Sequence, residues 1–178
     1  MILKILLALA ILIAIPLIIA IFTKDEYSVE REVMINKPKQ DVFNYIKLLK
    51  NQTSYSKWVM LDPNAKMEYK GIDGTEGAVF AWDSENKQAG KGEQTITKIA
   101  DGERIDLALH FIKPFEGNST AWLSTEAVSP TQTKVKWGFN GKMVYFMKVI
   151  HLFMNMEKMI GKDIQASLSN LKGVLEKQ

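Results

Sequence analysis

His110 and His151 are the only histidines in the chain, and there is no cysteine. A general base at neutral pH needs an imidazole, or another group whose surroundings push its pKa towards 7. His110 alternates with Leu109 and Phe111 in an extended stretch, so it falls on the opposite face from them, towards solvent. His151 lies between Ile150 and Leu152 in a helical stretch. Both are read as structural or exposed side chains rather than as bases. The lack of cysteine removes a disulfide scaffold, a thiolate zinc or iron–sulfur site and a cysteine nucleophile. No G-x-S-x-G, H-E-x-x-H or EF-hand pattern occurs, so no catalytic residue, metal or cofactor is expected. Gly71, Gly74 and Gly77 have the spacing of a glycine-rich loop but no Walker A lysine follows, and they are read as turn residues. Asp101 and Glu103 are close in sequence, but they flank a turn and are read as solvated.

The elements that would position these residues are legible from periodicity. Tyr27, Val29, Val33 and Ile35 alternate with polar residues, which predicts a strand with one buried face. Arg31 interrupts its apolar side and is read as an edge or snorkelling arginine. Asn36-Lys37-Pro38 predicts a helix start with Asn36 as the cap, followed by Val42, Phe43, Ile46 and Leu49 at helical spacing. Asn51 to Lys57 is a polar loop or a short second helix. From Ala65 onwards the pattern is extended. Met67 to Tyr69 is followed by Ala78-Phe80-Trp82, Thr95-Thr97-Ile99, and then Ile105-Leu107-Leu109-Phe111 after the Asp101-Gly102 hairpin signal. Thr120 to Val128 and Thr133 to Phe139 complete the series. From Lys142 to about Glu176, apolar residues recur every three or four positions, which predicts one long amphipathic helix, with a break near its start. The order is strand, helix pair, about six antiparallel strands and a long helix, which makes an α+β domain.

The first 22 residues are hydrophobic except for Lys4 and Pro16. As a helix, Ile2 to Phe22 would extend about 31 Å, the thickness of a bilayer hydrocarbon core. A cleaved signal peptide and a buried core helix are the competing readings. The length of the run and the absence of a small-residue cleavage pattern before Thr23 oppose the first, and an all-round apolar surface opposes the second. The expected organisation is a transmembrane anchor over residues 1–23 and one domain over 24–178. A single-pass membrane protein is expected, with the domain placed outside the cytoplasm. Lys4 supports that orientation, and the basic residues Lys24, Arg31, Lys37 and Lys39 oppose it. The formal charge of the whole chain is +3. So small an excess, spread along the chain, argues against a nucleic-acid partner.

Several strings resemble the SRPBCC superfamily, the START/Bet v 1-like and polyketide cyclase/dehydrase-like proteins. They are Tyr27-Ser28-Val29-Glu30-Arg31, Ile35-Asn36-Lys37-Pro38 with Val42 to Ile46, Trp58, and Gly77 to Ser84 with Trp82. Further along come Gly90-Lys91-Gly92, Phe111 with Pro114-Phe115, Thr133 to Trp137, Ile160-Gly161-Lys162-Asp163, and Leu168 to Leu171-Lys172. The resemblance spans about Tyr27 to Glu176. It implies a helix-grip arrangement, in which a curved antiparallel sheet of 6–7 strands wraps a long C-terminal helix. It also implies a cavity between the two that takes an apolar or amphipathic small molecule or a lipid.

Under that arrangement, the expected cavity wall comprises Trp58, Phe80, Trp82, Leu107, Leu109, Phe111, Trp122, Trp137, Phe139, Phe146 and Phe153. Simple core packing is the competing reading for the aromatic residues. Met143 to Met156 holds more apolar residues than a half-buried helix requires, and its surplus points to the cavity mouth, to the bilayer surface or to cover by nearby loops. Three functions remain open. A membrane-tethered binding module is favoured by the shortage of histidines and paired acids. A cyclase/dehydrase-type enzyme acting on an apolar substrate would require two converging ionisable groups in the cavity. A ligand-free interaction or stress-response domain would require a closed, filled interior.

Overall fold

A computed structural model describes residues 1–143, 145–153 and 155–177, except for the side chains of Ala8 and His151. Helix α1 (Ile2–Phe22) leads into strand β1 (Glu26–Ile35). Helix α2 (Lys39–Ile46) and two 3-10 turns, Leu49–Ser54 and Val59–Leu61, follow. Six further strands come next: β2 (Lys66–Lys70), β3 (Val79–Asp83), β4 (Lys91–Ala100), β5 (Arg104–Lys113), β6 (Gly117–Ser129) and β7 (Gln132–Lys142). Helices α3 (Tyr145–His151) and α4 (Met156–Leu175) end the chain.

The strands form one seven-stranded antiparallel sheet in the order β1-β7-β6-β5-β4-β3-β2. β2 to β7 are joined as a simple meander, and β1 closes onto β7, which makes β1 and β2 the edges. Register shifts at Lys91/Gly92, Ile96/Lys98 and Ala127/Ser129 add local bending. The Asp101-Gly102 turn holds Gly102 at φ +70°, a conformation open to glycine and strained for other residues.

One face of the sheet is apolar, because period-2 alternation puts Val29, Phe80, Ile96, Ile105, Leu107, Leu123, Val135 and Trp137 on the same side. α4 covers it with Ile164, Leu168, Leu171 and Leu175, and α2 covers it with Val42, Phe43 and Ile46. These positions recur every three or four residues, so each helix offers one apolar stripe.

The structure departs from the sequence reading at the start of α2. Asn36 does not cap α2, which begins after Pro38. Its N–H instead donates to Glu176 Oε1 (2.7 Å), and its side-chain oxygen accepts from Gln132 Nε2 (2.9 Å). The C-terminal region is broken near its start, as expected, into two helices. Asn155 interrupts it in an extended conformation and caps α4, accepting from the N–H of Lys158 at 2.8 Å.

α1 is the one helix among the described residues long and apolar enough to cross a membrane. Its described side chains are exposed apart from Pro16, which is half-buried, and Ala20, which is buried.

Candidate functional site

Sheet register ranks the apolar face in rows. One row reads Tyr27, Gly141, Ser119, Leu109, Gln94 and Phe80. Beyond it, at the end of the sheet where α1 leaves the domain, lie Gly117, Phe111, Gly92 and Trp82. In the other direction come Val29, Phe139, Ala121, Leu107 and Ile96, and then Arg31, Trp137, Leu123 and Ile105. The deep rows are closed. Ile35, Ile96, Ile105, Leu123 and Val135 have no solvent exposure. The outer rows are not, for Tyr27, Trp82, Leu109 and Phe111 are each only partly buried.

The position of α4 explains this gradient. Its first turn meets β1 at Arg31, whose Nη2 is 2.6 Å from Glu157 Oε1. Its last turn lies at Met34 and Asn36, through Lys172 Nζ to Met34 O (2.7 Å) and Glu176 to the Asn36 N–H. α4 therefore runs along β1 from Arg31 to Asn36, and the row of Tyr27 lies beyond its N-terminus. Gly161 makes the first crossing possible, because a Cβ there would collide with the Arg31 guanidinium. Arg31 is thus an edge-strand arginine as expected, but one clamped beneath a helix. It is always protonated, so its pair with Glu157 is an ion pair and not an acid–base couple.

Two chains of rings line the face. Tyr45, Tyr55, Trp137 and Trp58 follow one another at centroid separations of 6.4, 6.1 and 5.9 Å. Tyr69, Phe80, Trp82 and Phe111 do so at 5.0, 5.9 and 6.1 Å. Trp82 is held by its indole N–H, which donates to Ala89 O at 2.9 Å. Its ring lies over Gly92, where a Cβ would come within 2.8 Å of it. Within the interior, Gln94 Nε2 donates to Gln52 Oε1 at 2.6 Å. Gln52 Nε2 and Tyr55 Oη are buried with no hydrogen-bond partner among the described residues. Burial pushes the Tyr55 phenol well above its ordinary pKa, and nearby Tyr45 and Asp73 add to this. Tyr55 therefore stays neutral and offers a hydroxyl.

Of the residues expected to line a cavity, Trp58, Phe80, Trp82, Leu107, Leu109, Phe111, Trp137 and Phe139 belong to the apolar face or pack against it. Trp122 does not. It alternates with the buried Ala121 and Leu123 and so points to the opposite face. There it lies over Gly138, with the Arg104 guanidinium 4.4 Å from its ring centroid. The parity of β6 carried that signal. Phe146 and Phe153 also lie elsewhere, at 60% and 75% exposure near the exit of α1, because the C-terminal region breaks before α4. Sequence reasoning missed Gln52, Gln94 and Tyr55. Each is flanked by polar residues in the sequence, so no apolar periodicity marks it.

His110 lies on the outer face, with Nε2 3.6 Å from Glu116 Oε1. The His151 side chain falls outside the described residues. No group of three potential metal ligands occurs among the described residues. An open cleft beside the same end of the sheet is lined by Lys66, Asp83, Ser84, Glu85, Lys87, Gly90, Lys113 and Pro114. It is charged and shallow, and Lys91 already neutralises Asp83 at 2.7 Å. That hydrogen bond holds the Asp83 carboxyl below its ordinary pKa.

The same arrangement of sheet and helices recurs in solved structures. The Aha1 dimer protein from Colwellia psychrerythraea matches at TM-score 0.59 and 12% identity, covering 84% of this chain and 96% of its own. Ara h 8.0201 matches at TM-score 0.57 and 14% identity, covering 86% and 99%. This chain has the Bet v 1-like fold. Norcoclaurine synthase from Thalictrum flavum, solved with dopamine and hydroxybenzaldehyde, shares the Bet v 1-like fold at TM-score 0.59 and 12% identity, covering 86% and 88%. No protein-family model matches the sequence. No curated protein matches it either. At these identities the neighbours establish the fold, and the use made of it must be argued from this chain's own residues.

Proposed function

We propose that this Bet v 1-like domain is a membrane-tethered binding module, anchored by residues 1–23, that holds an apolar or amphipathic small molecule or a lipid between its sheet and α4. The observation that carries the reading is the packing gradient. An apolar face closed at one end and left half-covered at the other, with Trp82, Leu109 and Phe111 at the open end, is what a pocket needs and a filled core does not. Burial of apolar ligand surface would supply the affinity. The interior hydroxyl of Tyr55 and the amides of Gln52 and Gln94 would favour a ligand carrying one polar group over a pure hydrocarbon. The binding reading is favoured over an enzyme because the ionisable pair nearest the face is Arg31–Glu157, which is already spent on fastening α4. The anchor reading is supported by the solvent-facing surface of α1, which no core helix presents.

The test is native mass spectrometry of the full chain from detergent, with solvent extraction of what travels with it, beside a Trp82→Ala variant. The expected result is a stoichiometric apolar adduct that is weakened in the variant. A bare mass in both, together with no uptake of a fluorescent fatty acid, would defeat the proposal and leave an interaction domain.

A further inference from the structure

The helix that precedes α4 has an apolar face that the domain does not use. Tyr145 and Phe146 lie seven residues before Leu152 and Phe153, a spacing that returns to the same side of a helix after two turns. The helical path continues past α3 to reach them, with the Leu152 N–H donating to Lys148 O at 3.2 Å and the Phe153 N–H to Ile150 O at 3.0 Å. Phe146 and Phe153 are exposed, whereas Lys148, on the opposite side of the helix from both, is buried and paired with Asp25. Two large aromatic side chains are thus turned away from the domain, while a lysine is turned inward.

The position of α3 says what covers that face. The Tyr145 hydroxyl donates to Leu17 O of α1 at 2.6 Å. Leu17 lies five residues before the end of α1 at Phe22, roughly 7–8 Å along the helix axis. If α1 spans a bilayer, a tyrosine beside its last turns is at the depth of the headgroup–acyl boundary, where amphipathic rings concentrate and where an interfacial helix buries its apolar face by about 5–10 Å. A short link, residues 23–25, separates α1 from β1, and Asp25 is tied twice to the segment around α3, by its carboxylate to Lys148 and by its carbonyl to the Met143 N–H at 2.6 Å. The level of α3 is therefore fixed relative to α1.

We infer that α3 is an interfacial foot: Phe146 and Phe153 enter the lipid surface beside α1 and set the open end of the apolar face against the membrane. The register supports the second half, since Tyr27, Phe111 and Trp82 lie at the end of the sheet where β1 begins and β7 ends, the end that α1 and α3 share. The lipid would then be both the surface on which the domain sits and the source of its ligand. This inference rests on the reading of α1 as a membrane anchor, and the experiment separates the two.

The chain has no cysteine, so a single introduced thiol can be labelled without removing others. Phe153→Cys and, separately, Phe146→Cys would be labelled with an environment-sensitive fluorophore in the full chain, reconstituted in phosphatidylcholine vesicles containing lipids with shallow or deep nitroxides. Leu12→Cys reports on the anchor, and Thr131→Cys, in the exposed β6–β7 turn, reports on the far end. The expected result is blue-shifted emission at 153 and 146 that the shallow nitroxide quenches more than the deep one, with little quenching by aqueous iodide. Leu12 should respond most to the deep nitroxide, and Thr131 to iodide alone. If Leu12 is quenched by lipid while 153 and 146 behave like 131, the foot is overturned and the anchor stands. If 153 and 146 are shielded from both quenchers, a protein surface covers them and the lipid contact is overturned. If Leu12 itself is open to iodide, the anchor reading fails, and the inference with it.

Discussion

At the scale of residues, two tryptophans of equal size have opposite roles. Trp82 lies on the open part of the apolar face, and Trp122 lies on the outer face between Gly138 and Arg104. Trp122→Ala should lower stability by about 1–3 kcal/mol through lost ring contacts and leave a bound adduct in place. Trp82→Ala should weaken the adduct. Denaturant titration and native mass spectrometry of the pair would check both halves, and loss of the adduct in Trp122→Ala alone would reverse the assignment. Tyr55 poses a different question, because its buried hydroxyl has no partner among the described residues. Tyr55→Phe removes no protein hydrogen bond. It should hold wild-type stability within about 0.5 kcal/mol, and a ligand that uses the hydroxyl would bind it more weakly. A stability loss well beyond that in the ligand-free protein would show that the hydroxyl already serves the fold.

At the scale of elements, α4 is fastened at both ends to β1, and the C-terminal fastening is sensitive to pH. The Asn36 N–H and then Lys172 hold the Glu176 carboxyl below its ordinary pKa. A depressed folded-state pKa contributes stability above the unfolded value, about 4.3 for glutamate, and that contribution is lost as pH falls through the folded value. Glu176→Gln should therefore unfold earlier than the wild type at pH 7, and the two should converge under acid conditions. Thermal melts across the acid range would show it, and a gap that persisted below the carboxylate range would mean that the charge is not responsible. Much of this level could be read in the sequence. Alternation in β1, β5 and β7 and the apolar stripe of α4 recur over many residues, and burial enforces them. The cap of α2 was harder, because it turns on one residue, whereas the break near the start of the C-terminal helical region was expected. Asn36 and Asn155 are equally good caps, and tertiary partners at Gln132 and Glu176 diverted the first. The site was legible only in outline. Side-chain parity would have excluded Trp122, but the half-covered end of the face depends on where α4 crosses β1. Gly161 and Arg31 decide that together, from opposite ends of the chain.

At the scale of the whole molecule, the domain and α1 are separable in energy though not in position. The main core cluster begins at Tyr27 and contains no residue of α1. Residues 24–178 expressed alone should fold with an unfolding midpoint close to that of the full chain. A collapsed midpoint would show instead that α1 supports the fold through Tyr145 and Ala20.

The uneven covering of the sheet also has a calorimetric consequence. Rings that stay partly wet in the folded state have less hydration left to gain on unfolding, so the free protein should show a smaller heat-capacity change than a fully packed domain of its length, whose expectation is about 12–15 cal/mol/K per residue. Filling the open end with an apolar molecule should dry Trp82 and Phe111 and give binding a negative heat-capacity change, a sign that contact with a polar surface patch would not produce. Titration at two temperatures would read that sign directly. It would also report how much water the open end holds when nothing else is there.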